Sequence, residues 1–334
     1  MELDLWVWAA FGVFVVAMLA LDLVAFGRRG EAIPFRRALA WSAGWTALGL
    51  AFAVLLAAWQ GRAPAEEYLA GFLIEKSLSI DNLFVFALIF AYFGVPAAYQ
   101  RRVIFWGIVG AVVLRGVFIL AGAALLDAFH VTIYVFGAFL VATGIRMARH
   151  AQVEVHPERN PALRLLGRLL PLTTRFHGDR LTVRVGSRRV ATPLAAALVL
   201  VATFDVVFAV DSIPAIFAIT RDTFIVYAAN AFSLLGLSSL YFLLAGLMGR
   251  FRYLNQGLAA ILVFVGLKMG LSDVYEVPVP LSLAVVVLVL AAAVGASLLR
   301  PLAEGERTDA GVRPGPGAPA PGAARPLPEE GGAS

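Results

Sequence analysis

Long apolar stretches alternate with short polar ones along the whole chain, and the apolar stretches are of bilayer length. A membrane helix needs about 20 mostly apolar residues. Runs of that kind predict nine helices, at 6–26, 38–59, 67–93, 103–124, 129–147, 193–219, 224–248, 255–273 and 281–299. The first lacks a basic start and leads into further spans, so it reads as a retained helix rather than a signal peptide. The polar pattern divides the chain into a membrane domain over 1–300 and a tail over 301–334. The tail holds "GVRPGPGAPAPGAARP", a composition that predicts disorder. Within the long 149–192 loop, "LTVRV" alternates and meets Gly186, the signature of a short hairpin.

Composition agrees with the pattern. The 334 residues are 60% hydrophobic and 15% charged, with mean hydropathy +0.84, which predicts an all-α polytopic membrane protein. Cysteine is absent, so disulfides, thiolate metal sites and cysteine nucleophiles are excluded. The pI near 9.8 points to topology, not to nucleic acid, because arginines crowd alternate loops. Arg28–Arg37, Arg101–Arg102, the 149–192 loop, Arg250–Arg252 and Arg300 mark basic segments. The loops between them carry one arginine or none. The positive-inside rule then predicts an outer N-terminus and a cytoplasmic C-terminus in the inner (plasma) membrane. Lysine occurs only at Lys76 and Lys268, every other basic side chain being arginine.

An internal repeat runs through the middle. "EKSLSIDNLFVF" (75–86) matches "DVVFAVDSIPAI" (205–216), "FILAG" (118–122) matches "FLLAG" (242–246), and "GIRM" (144–147) matches "GLKM" (266–269). The matches are collinear. They pair predicted helices three to five with six to eight, and an odd number of spans inverts one set against the other. Inverted repeats are a transporter architecture with the binding site near the midplane.

Six ionisable groups lie well inside predicted spans: Glu75, Lys76, Asp81, Arg115, Asp205 and Asp211. Each costs about 2.5–3.5 kcal/mol at the bilayer centre by insertion scales, so such groups are functional by default. Four acids face two bases, a formal deficit that a divalent cation would neutralise. Glu75 and Asp81 are six residues apart, about 120° around a regular helix, so they need a wide cavity or local unwinding. Pro214, which frees the carbonyl of Val210, predicts unwinding in helix six. Asn82, Asn230, Ser79 and Ser212 add oxygen donors, a hard set suited to Mn²⁺, Mg²⁺ or Ca²⁺. The histidines, at 130, 150, 156 and 177, lie in or near loops, against a zinc or copper site. The bland alternative is helix pairing, Glu75 with Arg115 and Asp205 with Lys76. Lys268 reads as a snorkelling end residue. Asp22, near the inner end of helix one, reads as a vestibule acid or as a capping or interfacial residue.

These strings, with "RRVIFWGIVGAVVLR", "ATPL" and "LSSLYFLLAGLM", resemble the TerC family of integral membrane proteins, its Alx-like branch in particular, from about residue 6 to 300. That family is named for tellurium resistance and is similar to the LysE-type exporter superfamily. The resemblance implies manganese export, with Glu75, Asp81, Asp205 and Asp211 carrying the ion and Asp22 as an accessory acid. It departs where many members carry Glu in place of Ala202 and Arg in place of Ser238.

The leading expectation is a non-enzymatic exporter of Mn²⁺ from the cytoplasm, exchanging it for protons. Mn²⁺ is then cargo rather than a resident cofactor, and Lys76 tunes the site by shedding its charge. The alternative is a non-transporting membrane scaffold for assembly or stress response. Tellurite handling ranks lower because the core is net acidic. An intramembrane aspartyl protease needs two acids sharing a proton, and the Gly-Asp context occurs only in a loop, at Gly178-Asp179. Oligomeric state is not encoded in any motif.

Overall fold

The structure, a computed structural model, describes residues 4–25, 35–149, 160–185, 188–245, 253–275 and 277–299. The proline-rich tail, His150 and His156 lie outside the described residues. The elements are α1 (Leu5–Ala25), α2 (Phe35–Gln60), α3 (Arg62–Phe93), α4 (Ala97–Ala128), α5 (Val131–Arg149), α6 (Pro161–Leu169), β1 (Thr182–Val185), β2 (Arg188–Ala191), α7 (Pro193–Phe217), α8 (Thr223–Leu234), α9 (Leu237–Ala245), α10 (Leu254–Gly270) and α11 (Val279–Leu299). The chain is therefore mostly helical and polytopic.

Six helices are each long and apolar enough to cross a bilayer: α1, α2, α4, α5, α7 and α11. The pair α8–α9 qualifies as a seventh, bent by 41°. Among the other two predicted spans, α3 carries Arg62, Glu66, Glu67, Glu75, Lys76 and Asp81, and α10 is only 17 residues long.

Local chemistry sets several ends. α3 stops at Gly94, whose φ of 62° places it in the left-handed region that closes a helix, and Pro96 follows. α8 starts at Asp222, whose Oδ1 accepts from the N–H groups of Phe224 and Ile225 at 2.9 and 3.2 Å. Gly236, at φ 77°, separates α8 from α9. Pro214 lies in the last turn of α7, which stays helical to Phe217. The expected unwinding there is absent: the helix runs on past Pro214, which removes only the one bond that its own N–H would make to the Val210 carbonyl. The sharp break lies instead in what reads as one continuous apolar run, 224–248.

The helices are apolar outside as well as inside. On α4, Val113, Val117 and Leu120 are more than half exposed, while Ile108, Ala111, Arg115, Ile119 and Gly122 form the buried stripe at i, i+3/i+4 spacing. The arginine thus points inward. α3 packs against α2, α7, α8 and α11; α4 packs against α7 and α8; α5 lies along α10. The α5–α10 seam is made by glycines. A Cβ on Gly137 would come within 2.9 Å of the Gly266 carbonyl oxygen, and one on Gly144 within 2.8 Å of that of Ala259. β1 and β2 pair antiparallel in the loop before α7, as the alternation predicts.

Valine at Gly144 or Gly266 forces the seam apart, at a cost of about 1–3 kcal/mol or more by overpacking. Alanine at Gly110, where open space surrounds the Cβ position, leaves stability unchanged. Thermal unfolding midpoints of the purified variants in detergent check both outcomes.

Candidate functional site

The centre of the molecule is a buried ion pair. Arg115, 1% exposed, bonds Glu75, 0% exposed, through Nη1. The same nitrogen donates to Asn230 Oδ1 at 2.6 Å, and Asn230 Nδ2 donates to the Val226 carbonyl at 3.0 Å. One side chain of α4 thus ties α3 to α8. In a low-dielectric interior such a pair is strongly attractive but needs its remaining polar atoms satisfied. That condition is not met by protein atoms: Glu75 Oε1 and Arg115 Nε and Nη2 are buried without a hydrogen-bond partner.

Asp205 of α7 lies close enough to this pair for the charges of Arg115 and Glu75 to act on it. It is 3% exposed, on the stripe Val201, Asp205, Ala209, Ser212 that faces the interior. Asp211 lies farther along α7, half-buried, and accepts from Thr143 Oγ1 of α5 at 3.3 Å, within reach of the Arg146 charge. Asp81 occupies the corresponding turn of α3, and its side chain lies outside the described residues. Ser79, Asn82 and Ser212 are almost fully buried, and their side-chain polar atoms have no protein partner. Among the described residues, no group of three or more His, Asp and Glu side chains is arranged to hold a metal ion.

Lys76 does not pair with Asp205. Its Nζ donates to the carbonyls of Ser233 and Leu235, at 3.2 and 3.3 Å, where α8 ends. A helix C-terminus leaves carbonyls unsatisfied and carries partial negative charge, so a cation is stabilising there. Asp22 of α1 takes the complementary role at the start of α9. It is 4% exposed, accepts from Trp45 Nε1 at 3.0 Å, and hydrogen-bonds the Ser238 hydroxyl. The charges of Lys76 and Arg101 also act on Asp22. It is therefore a buried acid beside the N-terminus of α9.

The periphery resolves other expectations. Lys268 is half-buried within reach of the Glu67 charge, and Glu67 Oε2 accepts from Thr220 Oγ1 at 2.5 Å. Ala202 is exposed on α7, whereas Ser238 is buried on α9. The two positions thus do not face one common interior. Thr143, Trp45, Glu67 and Thr220 went unnoticed in the sequence because uncharged or end-of-helix residues carry no signal until their partners are placed.

The family described as "Integral membrane protein TerC family" matches residues 60–303. A Myxococcus xanthus protein called "Uncharacterized membrane protein STKORF319" is 47% identical over 293 residues, covering 88% of this chain and 92% of its own. The "Putative membrane-bound redox modulator Alx" of Escherichia coli K12 is 46% identical, covering 82% of this chain and 88% of its own. A Rickettsia bellii "Uncharacterized membrane protein" is 35% identical, covering 88% and 97%. No solved structure matches.

Replacing Arg115 by Met strands the Glu75 carboxylate, a loss of about 3–5 kcal/mol for breaking a buried pair from one side. Adding Glu75→Gln to Arg115→Met restores most of that stability. Unfolding midpoints of the single and double variants measure it, and an Arg115→Met protein as stable as the native chain would refute the structural role of the pair.

Proposed function

The chain belongs to the TerC family of integral membrane proteins, and on that premise we propose that it exports divalent cations, Mn²⁺ foremost, from the cytoplasm in exchange for protons. The observation that carries this reading is the set of buried oxygens without protein partners: Glu75 Oε1, Ser79 Oγ, Asn82 Oδ1 and Ser212 Oγ. They sit on the turns of α3 and α7 that carry the acids. An unsatisfied buried polar group costs about 1–3 kcal/mol, and native proteins keep few of them. Carbonyl, hydroxyl and carboxylate oxygens of this kind suit Mn²⁺, Mg²⁺ and Ca²⁺. Glu75 is matched to Arg115, and aspartates 81, 205 and 211 outnumber Lys76 and Arg146, the latter within reach of Asp211, so the group keeps a formal negative balance.

We read nine crossings, with α3 as a charged span, α8–α9 as one broken span and α10 as a short one. Within them α3–α5 and α7–α10 form two inverted halves. Several observations support this. α3 packs on α8 as α7 packs on α4, and α5 meets α10. The residue shift that aligns "GIRM" with "GLKM" also carries the contact Gly137–Gly266 onto Ala259–Gly144, and Val141–Gly266 onto Val263–Gly144. In this reading Asp205 and the aspartates at 81 and 211 give up protons to take the ion. The halves rock about the α5–α10 seam, and protons from outside displace it. The chain has no cysteine. Any redox effect like that in the name of its relatives would therefore come through its cargo, not through a thiol couple of its own.

A scaffold without transport is the second reading, and the closure of Glu75 on Arg115 favours it. One experiment separates the two. In a strain lacking its own manganese exporter, the native chain is expected to lower cell manganese under manganese excess, and Asp205→Asn, Asp211→Asn and Asp81→Asn to lose most of that effect. If the three variants work as well as the native chain while changes in the 149–192 loop abolish function, the exporter reading is wrong. In vesicles, metal flux without an accompanying pH change would remove the proton exchange.

A further inference from the structure

The basic loop between α5 and α7 contains an element that transport does not use. Asn160 caps α6, its Oδ1 accepting from Ala162 N and Leu163 N at 2.9 and 3.1 Å, and Pro161 fills the first turn. The resulting nine-residue helix "PALRLLGRL" is strongly two-sided and has no buried residue. Ala162, Leu163 and Leu166 are half-buried, and α6 packs on α7. Leu165 and Leu169 are 56% and 70% exposed, and Leu172 beyond them is 47% exposed. At 100° per residue, Leu165 and Leu169 form the outer edge of the apolar face that Ala162, Leu163 and Leu166 turn inward, Arg168 flanks Leu165 at about 60°, and Arg164 lies on the far side. The nearby hairpin repeats the charge: Arg184 and Arg189 face each other across β1 and β2, both exposed. Like charges directly opposite in a strand pair repel, and no acid bridges these two among the described residues.

We propose that α6 lies in the surface of the bilayer where α5 ends and α7 begins, with Leu165 and Leu169 among the acyl chains and Arg168, Arg184 and Arg189 on the headgroups of anionic phospholipids. An apolar edge bordered by arginines is the pattern of an interfacial helix. Its anchorage on α7, itself long and apolar enough to span, holds it at the level of the headgroups. Two features favour lipid over a soluble partner: the apolar edge is narrow, and each basic residue adds attraction to an anionic surface. The arginine pair across the hairpin would then be stabilised by a phosphate between them.

The cysteine-free chain allows a direct test on the full protein, with a readout independent of transport. Leu165→Cys and Leu169→Cys, each labelled with an environment-sensitive fluorophore, are placed in nanodiscs of phosphatidylcholine with or without phosphatidylglycerol. With phosphatidylglycerol the emission is expected to shift to the blue and to be quenched by brominated acyl chains. Both effects should shrink in pure phosphatidylcholine, in high salt, and with Arg168→Gln, Arg184→Gln and Arg189→Gln combined. Emission typical of water at both positions in every disc overturns the proposal. So does quenching that ignores both lipid charge and the arginine substitutions.

Discussion

The arrangement of the interior depends on one guanidinium. Arg115 reaches from α4 to a carboxylate on α3 and an amide on α8, and all three groups are almost wholly withdrawn from solvent. At that depth a charge without a partner is untenable, so the three helices are held in the rotation and height that let these groups meet. That rotation turns the next residue, Lys76, toward the end of α8, and it presents Asn82 and Ser79 to the protein rather than to lipid. The bond to Asn230 also fixes α8 just before its end. The position of the break between α8 and α9 and the position of the acids are therefore set together.

Much of this was legible in the sequence, and the failures have identifiable causes. The apolar runs located the helices, and the buried stripes of α4 and α7 followed from where their charged residues fell. The Glu75–Arg115 pairing was visible as an option because opposite charges at bilayer depth have few other outlets. The expected match of Asp205 with Lys76 did not form, since a lysine can also be satisfied by backbone carbonyls, which leave no trace in side-chain patterns. The bend at Gly236 was hidden because a glycine inside an apolar run looks like any packing position. Pro214 misled for the opposite reason: its side chain is conspicuous, yet it sits where a helix is ending anyway. α6 was missed because the arginine content of its loop masked the Asn160–Pro161 start signal.

The matched sequence strings are least alike at the charges. Glu75 is paired with Arg115 of the following helix. Among the described residues Asp205, at the matching position of the second string, has no such arginine: Ser238 and Ser239 stand at the corresponding place on α9, and they bond Asp22 and the Gly236 carbonyl instead. Glu75 is thus held directly, while Asp205 lies only within reach of the same arginine's charge.

At Gly236 the indole of Trp45 fills the notch of the bend so closely that a Cβ would lie 2.4 Å from the ring. Combined with a φ that other residues rarely adopt, this makes the joint a welded elbow rather than a hinge. The two half-helices on either side of it therefore form one bent unit, and a substitution at Gly236 acts on the angle between α8 and α9 rather than on either helix alone.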